Sequence, residues 1–212
     1  MRNALKYFSV ILFIFSGLIL VNVKSLSADI RLGGGQFSGA CFNCGTPADP
    51  CATTTVAGTT CTGGAKYVGT FDVGGAVGVK KYMTTPADAP AFKTWSPDYV
   101  ANLGARSTTD GLANTLVLEA KDPIYPAGNY CGTLEANGYS DWFLPSKDEL
   151  NLLYTKRGDL GGFDVTSGYP ASYYWPSTEY NNGNAWYQYF YNGGQGNYGK
   201  NSTFSVRCVR RF

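Results

Sequence analysis

Sixteen tyrosines and no histidine set the chemistry open to this chain before any element is drawn. Without an imidazole there is no Ser-His-Asp hydrolase, no Cys-His nucleophile and no histidine-ligated metal. Two adjacent carboxylates, Asp148 and Glu149, remain, but neighbours on a helix point in different directions and cannot flank one scissile bond. The residues therefore supply no catalytic set and no histidine-based metal set, and no cofactor is expected. What they supply is contact chemistry. Most of the stretch 180–201 is Asn, Gly or Tyr. Tyr brings a large rigid surface at low entropic cost, and Asn and Gly bring adaptable hydrogen bonding, the mixture favoured in paratopes. The candidate ligand contacts are Tyr180, Asn181, Asn182, Asn184, Tyr187, Tyr189, Tyr191, Asn192, Gln195, Asn197, Tyr198 and Lys200. The competing reading is a mobile polar hairpin or a prion-like tract. Trp186 and Phe190, spaced as packing anchors, favour recognition.

Charge adds a local signal to a weak global one. A formal net charge of +2 is too small to predict nucleic-acid binding. Lys200, Arg207, Arg210 and Arg211, however, cluster near the C-terminus with no acid among them. Such a cluster offers a sulfated or carboxylated ligand a favourable potential, against the plainer reading of a solvated strand end.

Residues 1–28 have the layout of a secretory signal peptide: early positive charge at Arg2 and Lys6, an apolar run from Phe8 to Val21, and small residues near Ser27 and Ala28. The run falls short of the ~20 residues a spanning helix needs, so no membrane span is expected once the signal is removed. All six cysteines lie beyond it, and an even count in an exported chain points to disulfides. Cys41, Cys44, Cys51 and Cys61 could instead hold zinc, a reading that an oxidising compartment and irregular spacing weaken. Their pairing is not fixed by spacing. Residues 29–64, rich in Gly, Thr, Ala and Cys, are expected to form a loop-rich, disulfide-pinned lead segment outside the main core, and 65–212 the binding domain.

The elements that would position the tyrosines follow from periodicity. Alternation over 66–73 and 77–83 around Gly74-Gly75 predicts a hairpin. Residues 84–97 read as irregular chain anchored by Trp95. Helices are expected over 110–120 and 127–135, and a third opens at the Ser146–Glu149 capping box, carries Leu150, Leu153 and Tyr154, and ends at Gly158. Strands are expected over 173–178, 185–191 and 203–210. In the second, Trp186, Gln188 and Phe190 alternate with Tyr187, Tyr189 and Tyr191, so one face packs while the phenols point outward. In the third, Phe204, Val206 and Cys208 share a face, which aims Cys208 into the core toward a partner such as Cys131. Residues 192–201 read as a Gly- and Asn-rich connector.

Three ordered segments, Gly138 to Leu150, Tyr174 to Glu179 and Val206 to Arg210, together resemble a bacterial family typified by the C-terminal domain of a collagen-like adhesin. Asn129 to Leu134 resembles its cysteine-bearing helix and Tyr82 to Pro86 an upstream strand end. The resemblance implies an α+β, C-type-lectin-like domain of small antiparallel sheets with two flanking helices, with terminal strands close together and a disulfide between Cys131 and Cys208. It implies a sulfated polysaccharide at a cell surface as ligand, although no collagen-like Gly-X-Y stalk occurs here. The same fold carries variable proteins of diversity-generating retroelements, and 180–201 is similar to their mutated regions, except that it contains no His, Asp or Ile. The Glu-Pro-Asn, Gln-Pro-Asp and Trp-Asn-Asp motifs of calcium-dependent lectins are absent, so no metal is expected. The formylglycine-generating oxidases share a related fold and would need a reactive cysteine pair. The expectation is a secreted or surface-exposed, non-catalytic module for a cell-surface glycan or protein; a structural envelope protein without a specific ligand is the alternative.

Overall fold

The computed structural model describes residues 49–97, 103–121 and 125–212; the signal peptide, Cys41 and Cys44 lie outside them. The hairpin expected near residue 66 forms from β1 (Lys66–Asp72) and β2 (Val79–Thr84), with a register shift between Tyr67 and Gly69. The chain's last strand, β8 (Val209–Arg211), returns to pair with β2 at Tyr82↔Arg211 and Thr84↔Val209. First and last strands thus share one sheet, in the order β1-β2-β8. A second, two-stranded sheet joins β3 (Lys93–Thr94) to β7 (Thr203–Phe204). The third contains β4 (Tyr173–Tyr174), β5 (Asn184–Tyr189) and β6 (Gln195–Gly199), in that order and antiparallel throughout.

Short helices close the flanks. α1 is a single turn at Pro50–Thr53. α2 (Gly111–Glu119) starts where the Asp110 carboxylate accepts the Ala113 amide, and it packs on α3 (Pro126–Gly132). α4 (Lys147–Thr155) opens with both arms of the expected capping box in place. Two buried clusters fill the space between helices and sheets. One gathers Trp95, Trp142, Trp175 and Phe204 around the Cys131–Cys208 disulfide. The other packs Tyr82, Phe143, Leu150, Leu153 and Phe190. The domain is α+β, with the cystine tying α3 to the segment just before β8.

Several boundaries differ from expectation for identifiable reasons. Cys51 and Cys61 pair with each other and belong to the first cluster. The Gly58 and Tyr67 amides also bond across to Tyr67 and Thr59 carbonyls, so from Asp49 onward the lead segment is part of the core rather than outside it. Residues 195–199, read as connector, form β6 because ladder bonds to β5 need backbone only. The expected strand over 203–210 divides into β7 and β8, and between them Ser205, Val206 and Cys208 bond instead to Tyr173, Trp175, Ala89 and Thr85. The strand from Tyr173 stops at Tyr174, and the Pro176 carbonyl accepts the Trp95 indole N–H at 2.9 Å. Gly158 does not end the helical run, which continues into α5 (Arg157–Leu160) and turns at Gly161, where φ is 68°.

Glu149 shows how the capping box is embedded. Its Oε2 accepts the Ser146 amide at 2.7 Å and the Gly111 amide at 3.0 Å, and its Oε1 accepts the Tyr82 hydroxyl at 2.5 Å. Burial outweighs these donors and pushes the carboxyl from the ordinary 4.5 up to about 6. The folded state then holds this proton more tightly than the unfolded chain, so the group's contribution falls as pH rises through that window. From this group alone we expect about 2 kcal/mol less stability at about pH 7 than at about pH 4. Urea denaturation of the wild type and Glu149→Gln at both pH values checks this: the difference between them should move in the variant's favour by that amount on going to neutral pH, and a constant difference refutes it.

Candidate ligand-binding face

Side chains alternate across the β4-β5-β6 sheet, and pairing fixes which ones share a side. Tyr173 faces Tyr189, Tyr187 faces Gly196, and Ala185 faces Tyr198. Tyr173, Tyr187, Tyr189 and Tyr198 therefore stand on one side. Their rings form a connected group: Tyr173 stacks on Tyr189 at 4.4 Å and lies 5.3 Å from Tyr187. Tyr169, on the preceding loop, reaches Tyr173 at 5.5 Å and Tyr198 at 6.3 Å. Tyr191 extends the row 5.8 Å beyond Tyr189. Beneath them the fully buried Phe204 touches Tyr169, Tyr173, Tyr187 and Tyr198. Tyr169 is 59% exposed, Tyr191 56% and Tyr198 45%, whereas Tyr173, Tyr187 and Tyr189 are half-buried. The Tyr187 ring lies over Gly196, where an added Cβ would come within 2.8 Å of its hydroxyl. Burial pushes the Tyr187 hydroxyl up, with Tyr173 and Tyr198 adding to the effect, and Tyr189 moves the same way. These phenols are neutral hydrogen-bonding groups at physiological pH.

The amides serve a different purpose. On the opposite side of the sheet Asn184 donates to Asn197 at 2.8 Å, and Gln195 donates to Gln188 at 2.6 Å and to the Lys147 carbonyl at 3.2 Å. Tyr180 stands edge-on to Trp186, 5.1 Å between centroids, with the Lys147 ammonium 5.0 Å from the same indole. Asn181 caps a turn by accepting the Gly183 and Asn184 amides, Asn192 accepts the Gly194 amide, and the Asn182 carbonyl accepts from Lys200. The twelve expected contacts are thus separated: Tyr187, Tyr189, Tyr191 and Tyr198 come together, and the amides build the hairpin that carries them. Tyr169 and Tyr173 belong to the face although the sequence reading left them out. Their signal was a cluster of tyrosines just upstream of the window, of which the sequence reading placed only Tyr173, in the strand expected over 173–178.

The four C-terminal cations form neither a solvated end nor an anion site. Lys200 is fully buried, its ammonium 2.6 Å from Glu179 and 2.9 Å from the Asn182 carbonyl, so it is withdrawn from ligand contact. Arg207, equally buried, donates to Asp88 at 2.6 Å and to the Thr85 and Gly162 carbonyls. Arg210 grips Asp141 with two bonds of 2.7 and 2.9 Å, and Arg211 meets Asp110 at 3.0 Å. Every one of the four is neutralised by an acid distant in sequence.

Residues 84–210 match the Lcl C-terminal domain family. The chain belongs to that family. The Lcl C-terminal domain match contains the whole tyrosine face, Phe204 and the Cys131–Cys208 disulfide, while β1 and the Cys51–Cys61 loop precede it. No curated protein matches the chain. A solved fimbrial protein from Bacteroides ovatus ATCC 8483 is similar at 18% identity and a TM-score of 0.44, covering 62% of this chain and 36% of that one. A likeness at that level leaves the fold resting on the strands and helices themselves.

Arg207 and Arg210 make a matched pair for experiment. Removing one partner of a buried ion pair leaves an uncompensated charge and costs about 3–5 kcal/mol, whereas an exposed pair is worth about 1 kcal/mol or less. Arg207→Ala is expected to fall in the first range and Arg210→Ala in the second, read from urea midpoints. Equal losses refute the assignment of Arg207 as the internal tie.

Proposed function

We propose that the chain is an exported, non-catalytic binding module that contacts a glycan or protein ligand through its tyrosine face. The observation that carries this reading is a continuous set of six phenol rings, from Tyr198 and Tyr169 through Tyr173, Tyr187 and Tyr189 to Tyr191, four of them seated on a buried Phe204. Rings supported from below are pre-organised, so little entropy is lost when they meet a flat partner such as a sugar face or an apolar side chain. With Lys200, Arg207, Arg210 and Arg211 paired internally, stacking and phenol hydrogen bonds supply the attraction rather than charge. Membership of a family typified by the C-terminal domain of a collagen-like adhesin supports a place at or beyond the cell surface. Among the described residues the four cysteines, Cys51, Cys61, Cys131 and Cys208, are all buried in disulfides, which supports a structural role for them. Among the described residues no helix is long and apolar enough to cross a membrane.

The exposed rings allow a test that spares the fold. Tyr169→Ala, Tyr191→Ala and Tyr198→Ala together should lower binding to whole cells or to glycan and protein arrays by tenfold or more, about 1.4 kcal/mol at least, with the thermal midpoint nearly unchanged. A folded triple variant that binds as the wild type does removes this face from consideration.

A further inference from the structure

The row of phenols runs past the edge of the sheet into a cleft. Tyr191 lines an open cavity of about 670 Å³ together with Arg157, Asp159, Gly161, Phe163 and Val165. Its floor is rigid. Phe163 stacks on Phe190 at 4.8 Å and 28°, and the Arg207 guanidinium lies 3.9 Å over the same ring while donating to the neighbouring Gly162 carbonyl. Arg157 is also held in place, with its Nη1 donating to the Tyr154 carbonyl at 2.8 Å and its guanidinium 4.0 Å over the Tyr154 ring. Among the described residues, each of the other four arginines has a carboxylate within salt-bridge distance and Arg157 has none. Its guanidinium fork has five N–H donors, so it retains donors to offer. Asp159, on the same helical turn, is exposed and pairs with none of the described cations.

We infer that this cleft is a second sugar subsite, and that the ligand is a neutral polysaccharide lying along the tyrosine face and dipping into the cleft. This rests on the reading of that face as the binding surface. The chemistry of the walls selects the class. An anionic sugar would meet Asp159 and a cationic group would meet Arg157, whereas a neutral pyranose satisfies both: adjacent hydroxyls donate to the carboxylate and accept from the guanidinium, and the ring's C–H face rests on the exposed Tyr191. The cleft is open to solvent, which lets a polymer pass through rather than requiring a chain end. Centroid steps of 4.4 to 6.3 Å along the phenols give successive sugars successive hydroxyl and ring-edge contacts. The subsite would turn a general aromatic contact into a length-dependent one, because each added subsite raises effective concentration for the next.

Titration of the exported, disulfide-intact chain with ladders of neutral β-glucan, β-mannan and α-glucan oligosaccharides tests this. Affinity should rise with chain length. Asp159→Asn and Arg157→Gln should each weaken the longest oligosaccharides about tenfold and leave the shortest unchanged, whereas Tyr198→Ala weakens every length. If both cleft variants bind the longest oligosaccharides as the wild type does while Tyr198→Ala still loses them, the cleft subsite is wrong and the face stands. If the wild type binds anionic oligosaccharides or a protein and no neutral ladder, the ligand class is wrong. If Tyr198→Ala changes nothing while the cleft variants lose binding, the continuity of face and cleft is wrong. Asp159 is exposed, so a folding defect does not mask the result.

Discussion

A fully buried guanidinium joins parts of this domain that the sheets alone leave separate. Arg207 donates to Asp88, to the Thr85 carbonyl just past β2 and to the Gly162 carbonyl past α5, and stacks over Phe163. Burying such a charge costs several kcal/mol unless its donors are met, and here they are met by two carbonyls and a carboxylate. Asp88 is itself held by the Tyr174 hydroxyl at 2.6 Å, and that oxygen accepts the Asp164 amide at 2.8 Å. The next residue, Cys208, carries the disulfide to α3. Two consecutive residues therefore connect the hairpin, the helical flank, the sheet bearing the tyrosines and the cleft beside it.

Lys200 applies the same physics at the base of the tyrosine hairpin. Its ammonium reaches Glu179 before β5 and the Asn182 carbonyl in the turn, while Glu179 also accepts the Leu103 and Gly104 amides. The two ends of a Gly- and Asn-rich segment are thereby clamped together. Composition alone would predict mobility for this stretch, since it has few aliphatic side chains to bury. Order comes instead from a desolvated ion pair at the base, the Asn184–Asn197 bond across the strands, and Phe204 beneath the rings. Cations that looked available for ligand are held in internal pairs, so the tyrosine face presents rings and hydroxyls rather than unpaired charge.

What the sequence disclosed, and what it hid, divides by range. Local patterns were legible: the Ser146–Glu149 box, the hairpin around Gly74-Gly75, the alternation that sets Tyr187 and Tyr189 against Trp186 and Gln188, and the inward aim of Cys208. The cation pairs were not, because Asp88 lies 119 residues from Arg207 and Asp110 101 from Arg211. No window reading sees such partners. β6 was hidden for a different reason: Gln195–Gly199 lacks the side chains that favour strands, and its glycine at 196 is there to admit the Tyr187 ring. The cleft was invisible because the continuous stretch 155–165 supplies all of its walls but one, and that one, Tyr191, arrives from a distant segment.

The division of labour inside 180–201 also bears on how such a window tolerates change. A surface that varies freely needs its variable side chains to be idle in the fold. Asn184 and Asn197 bond each other and Gln195 is tied to Gln188 and Lys147 in part-buried bonds, so replacing any of these leaves a hydrogen-bonding group unmet at a cost of about 1 kcal/mol or more, and the exposed Asn181 and Asn192 hold turns. Tyr191 and Tyr198 carry no such duty. Their rings lean on aromatic neighbours and face solvent, so other side chains fit there with little loss of stability. Variation that preserves this domain therefore falls first on Tyr191 and Tyr198, which alter the exposed face before they alter the fold.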